Sequence, residues 1–594
     1  AYAPTLTIKP GVTVLLDSNG TLRAALGTLN ASGVQMDSGT FVVYGGSAPK
    51  DVANAISGNS GSTLRKTGDG TVRFTGNNSN FVGNTFLDAG TFLAGGSTGL
   101  SGSSINFTGG ALAFDADLGN VALSGAVNVL ADAPLDTNND RINLAGAVSG
   151  ISSATLTKLG AGSLILSGNN STYSGSISVS AGTLQFNNAV STGSIAIASG
   201  AIMRLARSEA TTLAQDISGA GLFEQAGSGV TTISGNNVHF TGDLAFRAGF
   251  VNLNNAHAIG DVSSTGTLTF SGGTLQYGSG RAEDYSTRIS TVDGQQIKVD
   301  TNGNDVTFAG TLSGTSTSLT KFGAGTLALT GDKLYAGATT VQQGTLLLVG
   351  SQWAATTTTV NAGSLVYALT DANIAKGNVV MAANTGTAFQ VNSGTATYGG
   401  SISGAGFVNM NGPGTLAVNQ SLAQTGGFVL SGGTFRLNPI STDSGPTSKI
   451  SMGGTITLNA GSLDVSSGVF ESNTALVGGA NATLVLARNT TFIKSATLTG
   501  LNIQLLGAGS LTIFTTDADA PLASSYSALG GNVSFQRFSA ATISAADLIG
   551  EVSNPTSLGS AGAVLAFTSD SKVAFRNPLE IVGAISTTVG SEVS

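Results

Sequence analysis

Glycines recur at fixed intervals in this chain of 594 residues, and that spacing limits its folds more than any other feature. Five segments share the spacing, and in two of them successive glycines are separated by the same steps of 10, 8 and 14 residues. The five segments are 56–95, 148–188, 217–253, 312–349 and 402–437. Repetition at a period of tens of residues is typical of solenoids and propellers. The chain is therefore predicted to be built from stacked repeats.

Short stretches between the glycines alternate apolar residues with Ser or Thr, as in TLTK, SLILS and SISVS. Alternation with a period of two indicates half-buried β-strands, and Gly and Asn supply the turns between them. Gly160 and Gly182 are 22 residues apart, which is room for three short strands with their turns. We predict one continuous right-handed parallel β-helix over residues 1–594, with about 22 residues per coil. Several β-sandwiches are the alternative.

Composition excludes several classes of protein. Only 9% of the residues are charged, the net charge is −8, and no basic stripe is visible, which argues against nucleic acid as a partner. A hydrophobic fraction of 41% argues against disorder. No apolar run reaches the roughly 18 to 20 residues of a spanning helix, so no transmembrane segment is expected in this chain. The absence of cysteine is typical of an exported protein.

Two sets of repeat residues are predicted to serve the fold. The predicted turn glycines are Gly68, Gly90, Gly160, Gly182, Gly227, Gly249, Gly323 and Gly344. The predicted core stack comprises Leu156, Leu164, Leu166, Leu184, Leu319, Leu327 and Leu329. Lys66, Lys158 and Lys321 recur at one repeat position and are predicted to be solvated charges beside the turns.

Few residues are candidates for chemistry, and no catalytic residue or cofactor is expected. Calcium is the one metal considered, because Asp-x-Asn-x-Asp spacing can present oxygens to it. The candidates are Asp136, Asp140, Asp300 and Asp305. Asx-turns account for the same residues, and we favour turns. His239 and His257 are predicted to lie on turn surfaces, and the charges of RAEDYSTR, from Arg281, on an exposed loop.

The stretch from Leu156 to Phe186 resembles the autotransporter-associated β-strand repeat. The residues that match the pattern are Leu156, Lys158, Gly160, Gly162, Leu164, Leu166, Gly168, Tyr173, Ala181, Gly182 and Leu184. Parts of the pattern recur from Leu319 to Gly331 and from Leu64 to Gly70. The resemblance implies a right-handed β-helix exposed on or outside a bacterial cell. The chain ends FRNPLEIVGAISTTVGSEVS, without the membrane barrel of that family, so we expect a barrel that was cleaved off or a relative that is simply secreted.

Two functions compete. The first is an extracellular structural protein, a subunit of a filament, sheath or surface layer that assembles head to tail with copies of itself. The alternative is a monomeric adhesin passenger that binds a cell-surface polysaccharide or a host surface. A carbohydrate-active β-helix enzyme is a third reading, which requires an acidic cleft where Asp136 and Asp300 or their neighbours converge.

Overall fold

The computed structural model is an all-β parallel solenoid of about 19 turns, spaced about 21 residues apart. It describes residues 6–8, 13–16, 33–96, 100, 102–188, 193–350, 356–420, 422–438 and 454–465, and the backbone of strand 449–451 and of the strands from residue 469 onward. The fold class predicted from the glycine spacing is confirmed. Contacts divide the chain into two compact units, residues 1–290 and 291–594. The single continuous domain stays a prediction, as does the right-handed sense.

The strands of the first unit form parallel sheets in which each strand pairs with strands of neighbouring coils. A three-stranded sheet contains Leu6–Ile8, Gly33–Met36 and Ala55–Gly58. A seven-stranded sheet contains Thr13–Leu16, Thr40–Tyr44, Thr63–Thr67, Asn84–Leu87, Ser104–Phe107, Val127–Val129 and Val148–Gly150. A nine-stranded sheet contains Lys50–Val52, Thr71–Phe74, Thr91–Ala94, Ala111–Phe114, Ala133–Asp136, Thr155–Leu159, Ser176–Val179, Ile195–Ile197 and Ile217–Ser218.

Two further runs of parallel strands complete the first unit. An eight-stranded sheet contains Asn120–Leu123, Arg141–Leu144, Ser163–Leu166, Thr183–Phe186, Ile202–Leu205, Leu222–Gln225, Leu244–Phe246 and Leu268–Phe270. The other run contains Thr211–Leu213, Val230–Ile233, Phe250–Leu253 and Thr274–Tyr277. One turn of 3-10 helix, Ser286–Arg288, follows these strands.

The second unit is built in the same way. Its largest sheet, of 18 strands, contains Val306–Phe308, Thr326–Leu329, Thr345–Val349, Ser364–Leu369, Ile374–Ala375, Gly386–Val391, Thr395–Tyr398, Phe407–Asn411, Thr415–Val418, Phe428–Leu430, Thr434–Leu437, Ile456–Asp464, Leu476–Ala487, Leu498–Leu506, Leu522–Leu529, Ala545–Ala546, Val564–Phe567 and Ala584–Thr587. A parallel run contains Gln296–Asp300, Ser318–Phe322, Thr339–Val341, Thr358–Val360, Val379–Met381, Ile402–Gly404 and Leu422–Gln424.

Smaller sheets make up the rest of the second unit. Two strands, Leu312–Gly314 and Lys333–Tyr335, pair with each other, and so do Lys572–Val573 and Glu592–Val593. A six-stranded sheet contains Lys449–Ser451, Val469–Ser472, Thr491–Lys494, Ser510–Thr515, Asn532–Arg537 and Glu551–Val552.

Period-two alternation places one face of each strand inside the coil. In the strand Ser163–Leu166, Leu164 pairs in register with Ile142 of the preceding coil and with Leu184 of the next, and all three are fully buried. Aromatic residues stack in the same way, and the ring centroids of Phe74 and Phe92 are 4.0 Å apart. Each coil therefore buries its apolar face between two neighbours, which is how a solenoid builds its core.

Candidate functional site

Lys158 lies inside the solenoid, so the prediction that the recurring lysines are solvated was wrong. It is fully buried, and it stands in register between Leu135 of the preceding coil and Val179 of the next. The reason is the alternation of the strand Thr155–Leu159. Lys158 is two residues after the buried Leu156, so its side chain points to the same interior face.

Three backbone carbonyls bind the buried ammonium group. Lys158 Nζ donates to the carbonyl oxygens of Leu159 (2.8 Å), Gly160 (2.7 Å) and Ala181 (3.0 Å). The first two belong to the turn that follows the lysine, and the third belongs to the turn of the next coil. All three ammonium donors are therefore used, as burial of a charge requires. We call this arrangement, a buried lysine with three turn carbonyls, the lysine clasp.

Lys66 and Lys321 form the same clasp, and both are fully buried. The acceptors and distances are Thr67 (3.1 Å), Gly68 (2.6 Å) and Ala89 (2.7 Å) for Lys66, and Phe322 (2.7 Å), Gly323 (2.7 Å) and Gln343 (3.3 Å) for Lys321. Desolvation by burial lowers the pKa of each of the three clasp lysines to about 8, and nearby aspartates oppose that shift in part.

Neutral side chains take the lysine position in the other two copies. Gln225, buried between Leu205 and Phe246, donates from Nε2 to the carbonyl of Gly227 at 2.8 Å. Met410 takes the position in the fifth copy. It is buried, and it cannot donate a hydrogen bond to the turn carbonyls because a thioether has no donor. The two side-chain ends reach equivalent places: a Cβ added to Gly344 would lie 3.0 Å from Lys321 Nζ, and one added to Gly433 would lie 3.3 Å from Met410 Cε.

The predicted turn glycines adopt conformations or contacts that a side chain would not permit. Gly182 has φ +64°, and a Cβ there would overlap the carbonyl oxygens of Gly160 and Gly162. Positive φ is shared by Gly68, Gly90, Gly160, Gly182, Gly249, Gly323 and Gly344. Gly227 does not have a positive φ, and what restricts it is the backbone of Arg207, which a Cβ would overlap. These turns hold the carbonyls of the clasp in place.

The predicted core leucines line the interior. Each of them is at most 2% exposed. They are Leu156, Leu164, Leu166, Leu184, Leu319, Leu327 and Leu329.

The calcium candidates lie in or next to turns, with Asp136 and Asp300 at the ends of their strands, and each binds a backbone N–H. Asp136 Oδ1 accepts from Asn138 N (2.8 Å) and Asp300 Oδ1 accepts from Asn302 N (2.9 Å), which makes both of them Asx-turns. The two asparagines have φ 51° and 49°. Asp136 belongs to the first unit and Asp300 to the second.

Asp140 and Asp305 also bind the backbone of neighbouring coils. Asp140 Oδ1 accepts from Gly119 N (2.7 Å), and Asp305 Oδ1 accepts from Thr326 N (2.8 Å). Among the described residues, no group of three or more His, Cys, Asp or Glu side chains is placed to hold a metal ion. The expectation of no cofactor, with calcium as the weaker alternative, stays a prediction.

The hydrogen bonds made by buried asparagine and tyrosine residues of the repeat were not predicted from the sequence, although Tyr173 matches the repeat pattern. Asn170, 1% exposed, accepts from Val148 N at 2.9 Å, across one coil. Tyr173 is also buried, and its hydroxyl accepts from Leu156 N (3.0 Å) and donates to the carbonyl of Ser176 (2.8 Å). Asn78 and Asn237 accept across one coil in the same way. The recurrence of Gly-Asn-Asn at these positions was the signal available in the sequence.

The segment that begins at Arg281 is not simply an exposed loop, and that prediction was wrong for Arg288. Its guanidinium, 4% exposed, donates to the carbonyls of Gly266 (2.7 Å) and Ile259 (2.7 Å). The 3-10 turn Ser286–Arg288 directs the Arg288 side chain onto the preceding coil. The sequence around Arg288 shows no strand pattern that predicts this contact. The histidines do lie in turns, and His239 is exposed while His257 is half-buried.

Comparison with known proteins identifies the repeat. Three segments match the family model described as passenger-associated-transport-repeat, residues 64–94, 156–186 and 319–348. These are the three copies that carry the lysine clasp, and the matches confirm the resemblance to autotransporter passenger repeats. No curated protein matches the chain. In the described part of the chain, no helix has the length and apolar character needed to cross a membrane.

The class of protein follows from the repeat and the solenoid together. With a parallel β-solenoid and three such repeats, the chain is similar to autotransporter passenger-type surface proteins.

Proposed function

We propose that the protein is a structural, non-enzymatic passenger of the bacterial surface, secreted or held outside the cell. This proposal rests on the contacts of the recurring polar residues, which bind the backbone of the solenoid itself. The clasp lysines, the buried asparagines and the turn aspartates all bind the backbone of their own or an adjacent coil. Residues that repeat in this chain thus stabilise the stack, as expected of a scaffold.

We further propose that copies assemble head to tail into a filament, sheath or surface layer. The support is the sheet geometry, because strands in a parallel stack can be continued by strands of a second copy. The low charge fraction of 9% also keeps repulsion between copies small. The alternative is a monomeric adhesin that binds a cell-surface polysaccharide or a host surface.

Protease treatment of intact cells that produce the protein tests the surface location. A passenger outside the cell is degraded or released as large fragments, while a cytoplasmic marker stays intact. Protection of the protein until the cells are lysed would contradict the proposal.

Electron microscopy of the purified, untagged protein at neutral pH tests assembly. Fibres many times longer than one molecule support the structural subunit. Isolated particles of uniform length at every protein concentration would exclude stacking and favour the adhesin, whose binding to cells is then measured directly.

A further inference from the structure

Two threonines interrupt the aliphatic interior of the second unit. Thr339 and Thr358 stand in register between Leu319 and Val379, in a column whose side chains face inward. Thr339 is 1% exposed and Thr358 is 5% exposed. A buried hydroxyl needs a hydrogen-bond partner, so this part of the core has a polar requirement.

A small cavity lies beside these threonines. The polar residues that line it are Lys333, Tyr335, Thr339, Thr356, Thr358, Tyr367 and Lys376. Its volume is about 20 Å³, which is room for one small ion or for one or two water molecules. A sugar, a nucleotide or a phosphate ester is too large for it.

Each polar side chain around the cavity can donate a hydrogen bond, and the hydroxyls can also accept one. Lys333 is 5% exposed, and its Nζ donates to the carbonyls of Gly331 at 2.7 Å and Val349 at 2.5 Å. Tyr335 and Thr339 share a hydrogen bond of 2.7 Å. Thr358, which is 5% exposed, also lines the cavity.

Charge distinguishes this cavity from an ordinary buried water site. The described residues that line it include two ammonium groups, of Lys333 and Lys376, and no carboxylate. The carboxylate that acts electrostatically on Lys333 is that of Asp332, whose side chain is exposed. Burial lowers the pKa of Lys333 to about 8, so it is still largely protonated at neutral pH.

We propose that this cavity is a binding site for a small monovalent anion of the size of chloride. The anion accepts a hydrogen bond from the Thr358 hydroxyl and is attracted by the ammonium groups of Lys333 and Lys376. It thereby adds a hydrogen bond to the Thr358 hydroxyl and offsets part of the positive charge of the two lysines, and both effects stabilise the folded chain.

Thermal unfolding in chloride tests the site, with sodium chloride exchanged for sodium gluconate at constant ionic strength and pH 7. Gluconate is too large for the cavity. We expect a saturable rise in melting temperature with chloride, and the same rise with bromide. Crystals grown in bromide should show one anomalous peak next to Thr358.

Matched variants locate the effect. Thr358→Val removes the inward hydroxyl at nearly constant shape, and Lys376→Met removes an exposed ammonium group at the cavity. Each should weaken half-saturation by chloride about ten-fold. Thr359→Val is the control, because Thr359 is next in the chain but points outward.

Three outcomes overturn the proposal. The first is a melting temperature independent of the choice of anion, which would leave water as the occupant. The second is a chloride effect that is equal in Thr358→Val and in the parent. The third is an anomalous peak elsewhere and none in the cavity.

Discussion

A single buried lysine shows how this fold accommodates charge. Lys158 occupies a column of aliphatic side chains, where an unpaired ammonium would be very unfavourable. Three carbonyl acceptors make its burial tolerable, and two of them come from a turn in which Gly160 has φ +76°. Lysine, glutamine and methionine all occur at this position in different copies. All three are long, unbranched side chains, and a hydrogen-bond donor is present in two of them.

Substitution of Lys158 should separate those two requirements. Lys158→Gln keeps a donor and has a precedent in Gln225, so we expect a loss of about 1 kcal/mol in the free energy of unfolding. Lys158→Ala leaves a cavity and three carbonyls without their donor, and we expect about 2–4 kcal/mol. Hydrogen exchange of residues 159–162 and 181–184 measures the local loss.

The control for Lys158 is Lys298→Ala, since Lys298 faces outward on the strand Gln296–Asp300. Protection of residues 159–162 should be unchanged in that variant. Equal protection in Lys158→Ala and the parent would mean that the clasp contributes nothing to stability.

Titration of the buried lysines should make stability depend on pH. In the folded chain the pKa of Lys66, Lys158, Lys321 and Lys333 is about 8, below the ordinary value of 10.5. Below pH 8 both states hold the proton, and pH has no effect through these groups. Between about 8 and 10.5 the unfolded chain holds more protons, so stability rises with pH.

Buried tyrosines act in the opposite direction at higher pH. Burial raises the pKa of Tyr173 to about 12 from an ordinary value of 10.0, so the unfolded chain loses that proton first and stability falls above about pH 10. We therefore expect the highest melting temperature near pH 10. The triple variant Lys66→Met, Lys158→Met, Lys321→Met should show a smaller rise from pH 8 to 10. A parent melting temperature that falls over that range would contradict the expectation.

At the scale of elements, glycine is required in particular turns, and its replacement there should destabilise the fold. Gly182→Ala combines a positive φ with overlap of two carbonyl oxygens, and we expect a loss of at least about 3 kcal/mol. Gly96→Ala is the matched control, because nothing lies within 4 Å of an added Cβ and its φ is not positive. Its effect should stay within about 0.5 kcal/mol. Urea denaturation compares the two, and equal midpoints would show that the turn at Gly182 adapts.

At the level of elements, sequence pattern predicted the regular part of the fold well. Alternation in SLILS marks the inward leucines, and glycine spacing marks the turns, because both signals are local. The clasp was missed although its signal was present. Lys158 follows Leu156 by two residues, so the alternation of the strand places it on the interior face. The charge of lysine pointed instead to an exposed position, and the prediction followed the charge. Arg288 could not be predicted, because its carbonyl acceptors belong to residues 22 or more positions earlier.

A whole coil can be removed from a solenoid without disturbing the register of the coils that remain. Ser163 pairs in register with Thr183, so deletion of residues 163–182 removes one coil and joins equivalent positions. We expect that variant to fold with a cooperative thermal transition close to that of the parent, because each repeat contacts only its neighbours. Deletion of residues 163–172 removes half a coil.

The half-coil deletion is the contrast for this experiment. It puts inward leucines out of register with the coils above and below, so we expect loss of the transition by circular dichroism or early digestion by protease. Equal stability of the two deletions would mean that register between coils is not what holds the stack together.

The clasp closes on the turn of the coil that follows it, and this determines how such a gene can change its length. A tandem duplication of about 21 codons copies a lysine together with the two carbonyls of its own turn, and the neighbouring copy supplies the third. Such a duplication would supply every acceptor that the clasp needs.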